Sequence, residues 1–295
     1  MSAVIEDWIN WLRLSDHSET TVAAYRWEIE HLRRWRADTH IDGLGRSDLL
    51  AYMAERRLLP GRKEEQLSTS ALKRTVNALR SYYAFIGSTI AAELPLPKPK
   101  LRVQRWLKFD QAMALLSVCD TSRPKGKRDL AMLTLMLDTG LRAAEVCRLR
   151  VDQVDVASQS LHVVCKGGDD ETGDYSIETA NYLSAWLASR ESVARCPNVF
   201  ASFNGQNYGG ALTTPGLRCL FRALGERAGL PHLAPHDLRR TFATLTTLLG
   251  APGRAVQEGG RWHDLKLVEL YTRSITSKLI VRYSPVSYLV RGGAS

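Results

Sequence analysis

The stretch H-D-L-R-R-T-F-A-T (residues 236–244), followed by G-G-R-W-H-D-L-K-L-V-E-L-Y-T (residues 259–272), decides how the rest of the chain is read. Pro235 suits the first turn of a helix, and Leu238, Phe242 and Leu245 return at helical spacing. His236 and Arg239 stand three residues apart and share one face of that helix. The face lies in the first turn, where free backbone N–H groups and the helix dipole already favour an anion. An imidazole and a guanidinium aimed together at such a place suit a phosphate. Tyr271 follows on a second short helix, with Trp262 nine residues before it.

Two segments further toward the N-terminus belong to the same pattern. One is T-G-L-R-A-A-E-V-C-R-L at Thr139–Leu149, and the other is the strand-like L-H-V-V-C-K that ends at Lys166. In this order and at these intervals, the four segments make the chain resemble the tyrosine recombinases of the phage-integrase family over nearly its whole length. The resemblance is to two-domain members that lack an arm-binding domain. It implies a mainly α fold with a small β-sheet: an N-terminal helical core-binding bundle, then a C-terminal mixed α/β catalytic domain.

Composition fits such a reading without requiring it. A chain of 295 residues is long enough for two domains with separate cores. Its 44% hydrophobic and 24% charged content is ordinary for a globular protein. A formal charge of +9 favours a polyanionic partner. Five cysteines show no paired C-x-x-C spacing. Cys119, Cys147, Cys165 and Cys219 sit in apolar-patterned segments, so they read as reduced core thiols of a cytosolic protein. Neither a signal peptide nor a membrane-length apolar run is present, and a cytoplasmic, nucleoid-associated location is expected.

Taken in order, residues 1–93 read as helices separated by polar turns. Val4 to Leu12 form one amphipathic segment. Ser18 caps a second with the stripe Val22, Tyr25, Ile29, Leu32 and Trp35; Ser47 opens a third; a fourth follows Ser68. Arg62, Lys63, Lys73, Arg74 and Arg80 lie on or between these helices. Singly each suits a solvated face, and as a group they suit a surface that tracks phosphates. Residues 94–108 read as a Pro-rich basic linker. Pro95, Pro97 and Pro99 favour an extended strap, and Lys98, Lys100 and Arg102 are candidates for DNA contact.

Residues 109–295 mix helix and strand. Leu161–Lys166 alternates and is β-branched, Gly167 and Gly168 turn it, and Tyr175–Ile177 is expected to return as its partner. Thr214 is the expected cap of a helix with Pro215 in its first turn and Gly229 at its end. After Tyr271 the apolar tail Leu279–Val290 needs a surface to bury on, in its own domain or a neighbour's.

By resemblance, Arg142 and Arg239 hold the nonbridging oxygens of a scissile phosphate. Lys166 protonates the leaving 5′-oxygen, His236 acts as acid/base, Trp262 buttresses the site and Tyr271 is the nucleophile. The partner implied is double-stranded DNA with paired inverted half-sites, bound by a tetramer assembled through the tail. No metal or other cofactor is implied, since the tyrosyl bond stores the energy of the phosphodiester. His232 and His236 are four apart, but Pro235 spoils a shared helical face and no carboxylate cluster stands beside them.

Each residue has a plainer reading. Arg142 could simply pair with Glu145. Lys166 is followed by the acidic run G-G-D-D-E-T-G-D, a departure from the family that loosens its register. Tyr283 and Tyr288 compete with Tyr271, and His263 competes with Trp262. At the level of function, a nicking-closing enzyme like type IB topoisomerases and an inactive DNA-binding protein of the same fold remain the alternatives.

Overall fold

The computed structural model describes residues 3–58, 66–97, 104–164 and 170–279. It divides into two compact units, Met1–Arg102 and Val103–Ser295, each with its own core.

The first unit is helical. Helix α1 (Ala3–Leu14) buries Ile5, Trp8, Ile9 and Leu12 at helical spacing. Helix α2 (Glu19–Trp35) starts where the Ser18 side chain accepts a hydrogen bond from the Thr21 N–H, and α4 (Thr69–Phe85) starts in the same way on Ser68 and Ala71. Between them lies α3 (Arg46–Leu58). Tyr82 and Tyr83 from α4 reach across the core, their hydroxyls donating to Asp42 and to the Ile41 carbonyl. The fully buried Glu28 needs compensation, and it receives Arg56 at 3.2 Å, Arg74 at 3.0 Å and the Thr75 hydroxyl at 2.9 Å.

The second unit is mainly helical and contains a three-stranded antiparallel sheet. Helix α5 (Phe109–Ser117) and α6 (Pro124–Thr139) come first, and α6 buries nearly its whole middle. After the short α7 (Ala143–Arg148), strands β1 (Val154–Asp155), β2 (Ser160–Val164) and β3 (Asp170–Asp174) form the sheet in the order β1-β2-β3. Helices α8 (Ile177–Arg190), α9 (Thr214–Arg227), α10 (Pro235–Leu248), α11 (Gly253–Gly259) and α12 (Leu265–Leu279) complete the described chain. Helix α10 packs against α6, α9, α11 and α12, so the segment quoted first is also the structural centre of its domain.

Three expectations are corrected. The strand paired with β2 is the acidic run itself: Val164 opposes Asp170 and Ser160 opposes Asp174, while Tyr175 only caps the ladder and Ile177 already begins α8. Strand propensity is weak in D-E-T-G-D, but β2 supplies the hydrogen-bond template; Gly173 is buried and Glu171 partly covered on the same face, while Asp170, Thr172 and Asp174 are exposed. The cap of α9 is Thr213, whose hydroxyl accepts from the Gly216 N–H, not Thr214. Cys119 and Cys147 are buried, but Cys219 is exposed on the outer face of α9. Helix α11, whose only buried residue is Val256, had no apolar stripe to announce it.

Leu94 closes the first core and Leu107 the second; the Leu107 N–H donates to the Thr241 hydroxyl on α10. Lys98, Lys100 and Arg102 lie outside the described residues, as do Arg62, Lys63, Cys165, Lys166 and the tail beyond Leu279 with Tyr283 and Tyr288. Among the described residues, no helix is long and apolar enough to cross a membrane.

Candidate active site

Five of the six candidates from the catalytic segments converge around the N-terminal end of α10. Helix α6 ends at Gly140, which adopts the left-handed conformation (φ 58°) and returns its N–H to the Met136 carbonyl. A side chain there would run into the Phe242 ring, 2.7 Å from the Cβ position. The reversal delivers Arg142 to the position just before α7. Its N–H donates to one carboxylate oxygen of Glu145 at 2.8 Å and its guanidinium to the other at 2.7 Å. Burial raises the Glu145 carboxyl, but the two Arg142 bonds and the charge of Arg261 outweigh it and hold it below its ordinary value. The Arg142–Glu145 pair expected from the plainer reading is therefore present. It does not exhaust the arginine, whose side chain remains 42% exposed.

Arg239 sits one turn into α10 and is 1% exposed. Its two terminal nitrogens donate to the carbonyls of Gly140 and Gly260, and its guanidinium stacks 4.4 Å from the centre of the Trp262 ring. Burial, followed by the charge of Arg142, pushes its pKa down to about 10. Among the described residues no carboxylate stands within ion-pair distance of it, so the buried cation is held by two carbonyl oxygens and an aromatic ring.

His236 precedes Arg239 on the same face and still presents a surface to solvent. Partial burial against its neighbours, then the charges of Arg240, Arg239 and Arg142, push its pKa down to about 4, so the ring is neutral near pH 7. Its Nε2 lies 3.4 Å from the Tyr271 hydroxyl, a long contact whose donor depends on the tautomer. Tyr271 projects from α12, half-buried, with its ring 5.5 Å from Trp262 and 5.9 Å from His236. Trp262 is 5% exposed and stacks on Phe242, whereas the competing His263 is exposed.

Arginine 142, His236, Arg239, Trp262 and Tyr271 thus form one constellation, and Lys166 lies outside the described residues. Of the candidate DNA-contact residues, Lys73 and Arg74 are exposed on α4, Arg74 also pairing with Glu28. Arg80 is committed to the fold: it donates to the Leu94 carbonyl at 2.7 Å. Sequence reasoning missed Arg261, which is buried in the same region with a left-handed backbone. A cation between two glycines and a tryptophan carries no periodic signal, so only the three-dimensional fold reveals its placement.

The sequence profile described as "Phage integrase family" matches residues 105–278, and that of the "Phage integrase, N-terminal SAM-like domain" matches residues 5–88. The chain belongs to the phage integrase family. It is 29% identical to a protein named tyrosine recombinase XerC from Bacillus subtilis (strain 168), covering 92% of this chain and 91% of the relative. It is 30% identical to a XerC from Xylella fastidiosa (strain M23), covering 92% of each. Among solved structures, XerH recombinase in a post-cleavage complex with a palindromic difH substrate superposes with a TM-score of 0.72 at 18% identity, covering 90% of this chain and 80% of that one. A lambda integrase tetramer on a Holliday junction gives 0.68 at 15% identity, covering 91% and 76%. At these identities the structural likeness concerns the fold, a mainly helical two-domain architecture with one small sheet.

Proposed function

We propose that a DNA phosphate lies between Arg142, Arg239 and His236, and that Tyr271 attacks it. Tyrosine-type site-specific recombination is the activity that family membership and the full-length relatives support, over both nicking-closing and inactive alternatives. The observation that carries the site reading is Arg239. A guanidinium so buried, near the charge of a second and with carbonyls and the Trp262 ring but no carboxylate against it among the described residues, is stabilised by an anion arriving between the two. Planar, permanently charged forks suit the nonbridging oxygens of a phosphodiester and the extra charge of the pentavalent phosphorane.

In this reading His236, neutral at working pH, accepts the phenolic proton as the Tyr271 oxygen bonds to phosphorus. The bond from phosphorus to the 5′-oxygen breaks, and Lys166 supplies that oxygen with its proton. A 3′-phosphotyrosyl bond remains, and a 5′-hydroxyl from a second strand reverses the step, with no cofactor consumed. Trp262 holds the Tyr271 ring and the Arg239 guanidinium in place and moves no proton. Strand exchange through a Holliday junction requires two duplexes and four protomers, so the working species is a tetramer on paired inverted half-sites. The tail beyond Leu279 links neighbours. Lys73 and Arg74, with Arg62, Lys63, Lys98, Lys100 and Arg102, neutralise the DNA backbone, at a cytoplasmic, nucleoid-associated location.

The test is strand exchange between two labelled duplexes carrying paired half-sites. Wild-type protein yields exchanged products, and Tyr271→Phe yields none while shifting the same DNA in a gel. Exchange by Tyr271→Phe would refute the assignment.

A further inference from the structure

We propose that Arg261 is a positioning residue that ties the acidic strand β3 to the segment bearing Arg142. The proposal rests on the site reading above and extends it to a residue outside the constellation. Arg261 is buried and adopts φ 52°, a backbone state that a non-glycine residue enters only when its surroundings hold it there. Its guanidinium donates to the Thr139 carbonyl at 2.9 Å, at the end of α6, and to the Gly259 carbonyl at 3.1 Å. The same cation lies 3.9 Å from Glu145, the partner of Arg142, and 4.0 Å from Glu171 on β3. Trp262, which holds both Arg239 and Tyr271, is the next residue along the chain.

One side chain therefore joins three pieces of the site that arrive from separate parts of the sequence. Room for it is made by Gly173 on β3, because a Cβ there would stand 2.8 Å from the Arg261 guanidinium. The arrangement also accounts for acidic residues in a hairpin whose tip, in this reading, approaches DNA. Glu171 shares a buried cation, and in the alternating pattern of the strand it is better covered than Asp170, Thr172 and Asp174. Arg261 shares Glu145 with Arg142 as well, so its charge limits how tightly that carboxylate can hold Arg142 away from a phosphate.

The experiment measures single-turnover cleavage of a nicked suicide duplex, affinity for the same duplex and Tm for Arg261→Gly, Arg261→Lys, Gly173→Ala, Glu171→Gln and the Arg261→Gly/Glu171→Gln double variant. Glycine removes the cation while relaxing the left-handed backbone. Alanine at 173 displaces the same guanidinium with every charge retained, and it serves if Arg261→Gly proves too unstable. The expected result is a loss of cleavage of about 10- to 100-fold in Arg261→Gly and in Gly173→Ala, with affinity changed by less than about threefold. Arg261→Lys recovers part of the rate, and Glu171→Gln adds no further loss to Arg261→Gly because the two residues act as a pair. Wild-type cleavage in both Arg261→Gly and Gly173→Ala overturns the proposal. So do losses that multiply in the double variant, or a lysine no better than glycine. A covalent adduct formed by Tyr271→Phe would instead sink the site reading itself, which keeps the two failures apart.

Discussion

Arg142 and Arg239 are not equivalent guanidinium groups. Arg142 is half-exposed and tethered by one carboxylate, whereas Arg239 is buried on carbonyls. Removing one preorganised charge at a phosphorane costs on the order of 10²–10³ in rate, so Arg142→Ala and Arg239→Ala should each lose cleavage by at least that factor. Affinity, expected to be set mainly by contacts elsewhere on the DNA backbone, should fall far less; near-normal cleavage in either variant would reduce that arginine to a structural role. His236 makes a separate prediction. Its folded pKa, about 4, lies below the unfolded value near 6.5, so the unfolded chain takes up the proton first as pH falls. Its contribution to stability is complete above pH 6.5 and is lost progressively toward pH 4. Melting curves across that window should show a shallower fall in Tm for His236→Gln than for wild type. Equal slopes would mean that His236 is not held neutral by its surroundings.

At the scale of elements, what the sequence shows depends on whether a signal is local. Helices α2 and α4 were legible because Ser18 and Ser68 cap apolar stripes, and α10 because Pro235 and Leu238, Phe242 and Leu245 mark its start and inner face. Strand β3 was not, since its partner β2 imposes the extended form on a sequence that asks for a turn. The same division holds for the site. Spacing placed His236 and Arg239 together and set Trp262 before Tyr271. The convergence of Gly140, Glu145 and Arg261 depends on contacts between residues up to 122 positions apart, which no window of sequence contains. Gly140 carries the element-scale prediction. Alanine there must accept a positive φ and push against the Phe242 ring, and it should destabilise the protein by about 2 kcal/mol, read by denaturant unfolding. Because the Gly140 carbonyl also receives Arg239, cleavage should fall by more than the unfolded fraction explains. A Gly140→Ala protein with wild-type stability would show that the reversal has room to spare.

For the whole molecule, the proposed function divides the labour between the two units: the first exposes Lys73 and Arg74 as proposed DNA contacts, and the second carries the constellation around α10. The apolar tail beyond Leu279 is proposed to join protomers. A chain ending at Leu279 keeps all of α12 and should bind a single half-site normally while losing cooperative filling of paired sites and, with it, strand exchange. Gel-shift titration on one and two half-sites distinguishes this from a tail that packs on its own domain, for which the cooperativity would be unchanged. The central claim, that Tyr271 forms the covalent link to DNA, is tested most directly by trapping protein on a nicked suicide duplex and mapping the linked peptide by mass spectrometry. The account predicts one adduct, a phosphodiester joining the Tyr271 oxygen to a DNA 3′ end. An adduct on Tyr283 or Tyr288, or on a 5′ end, would contradict it.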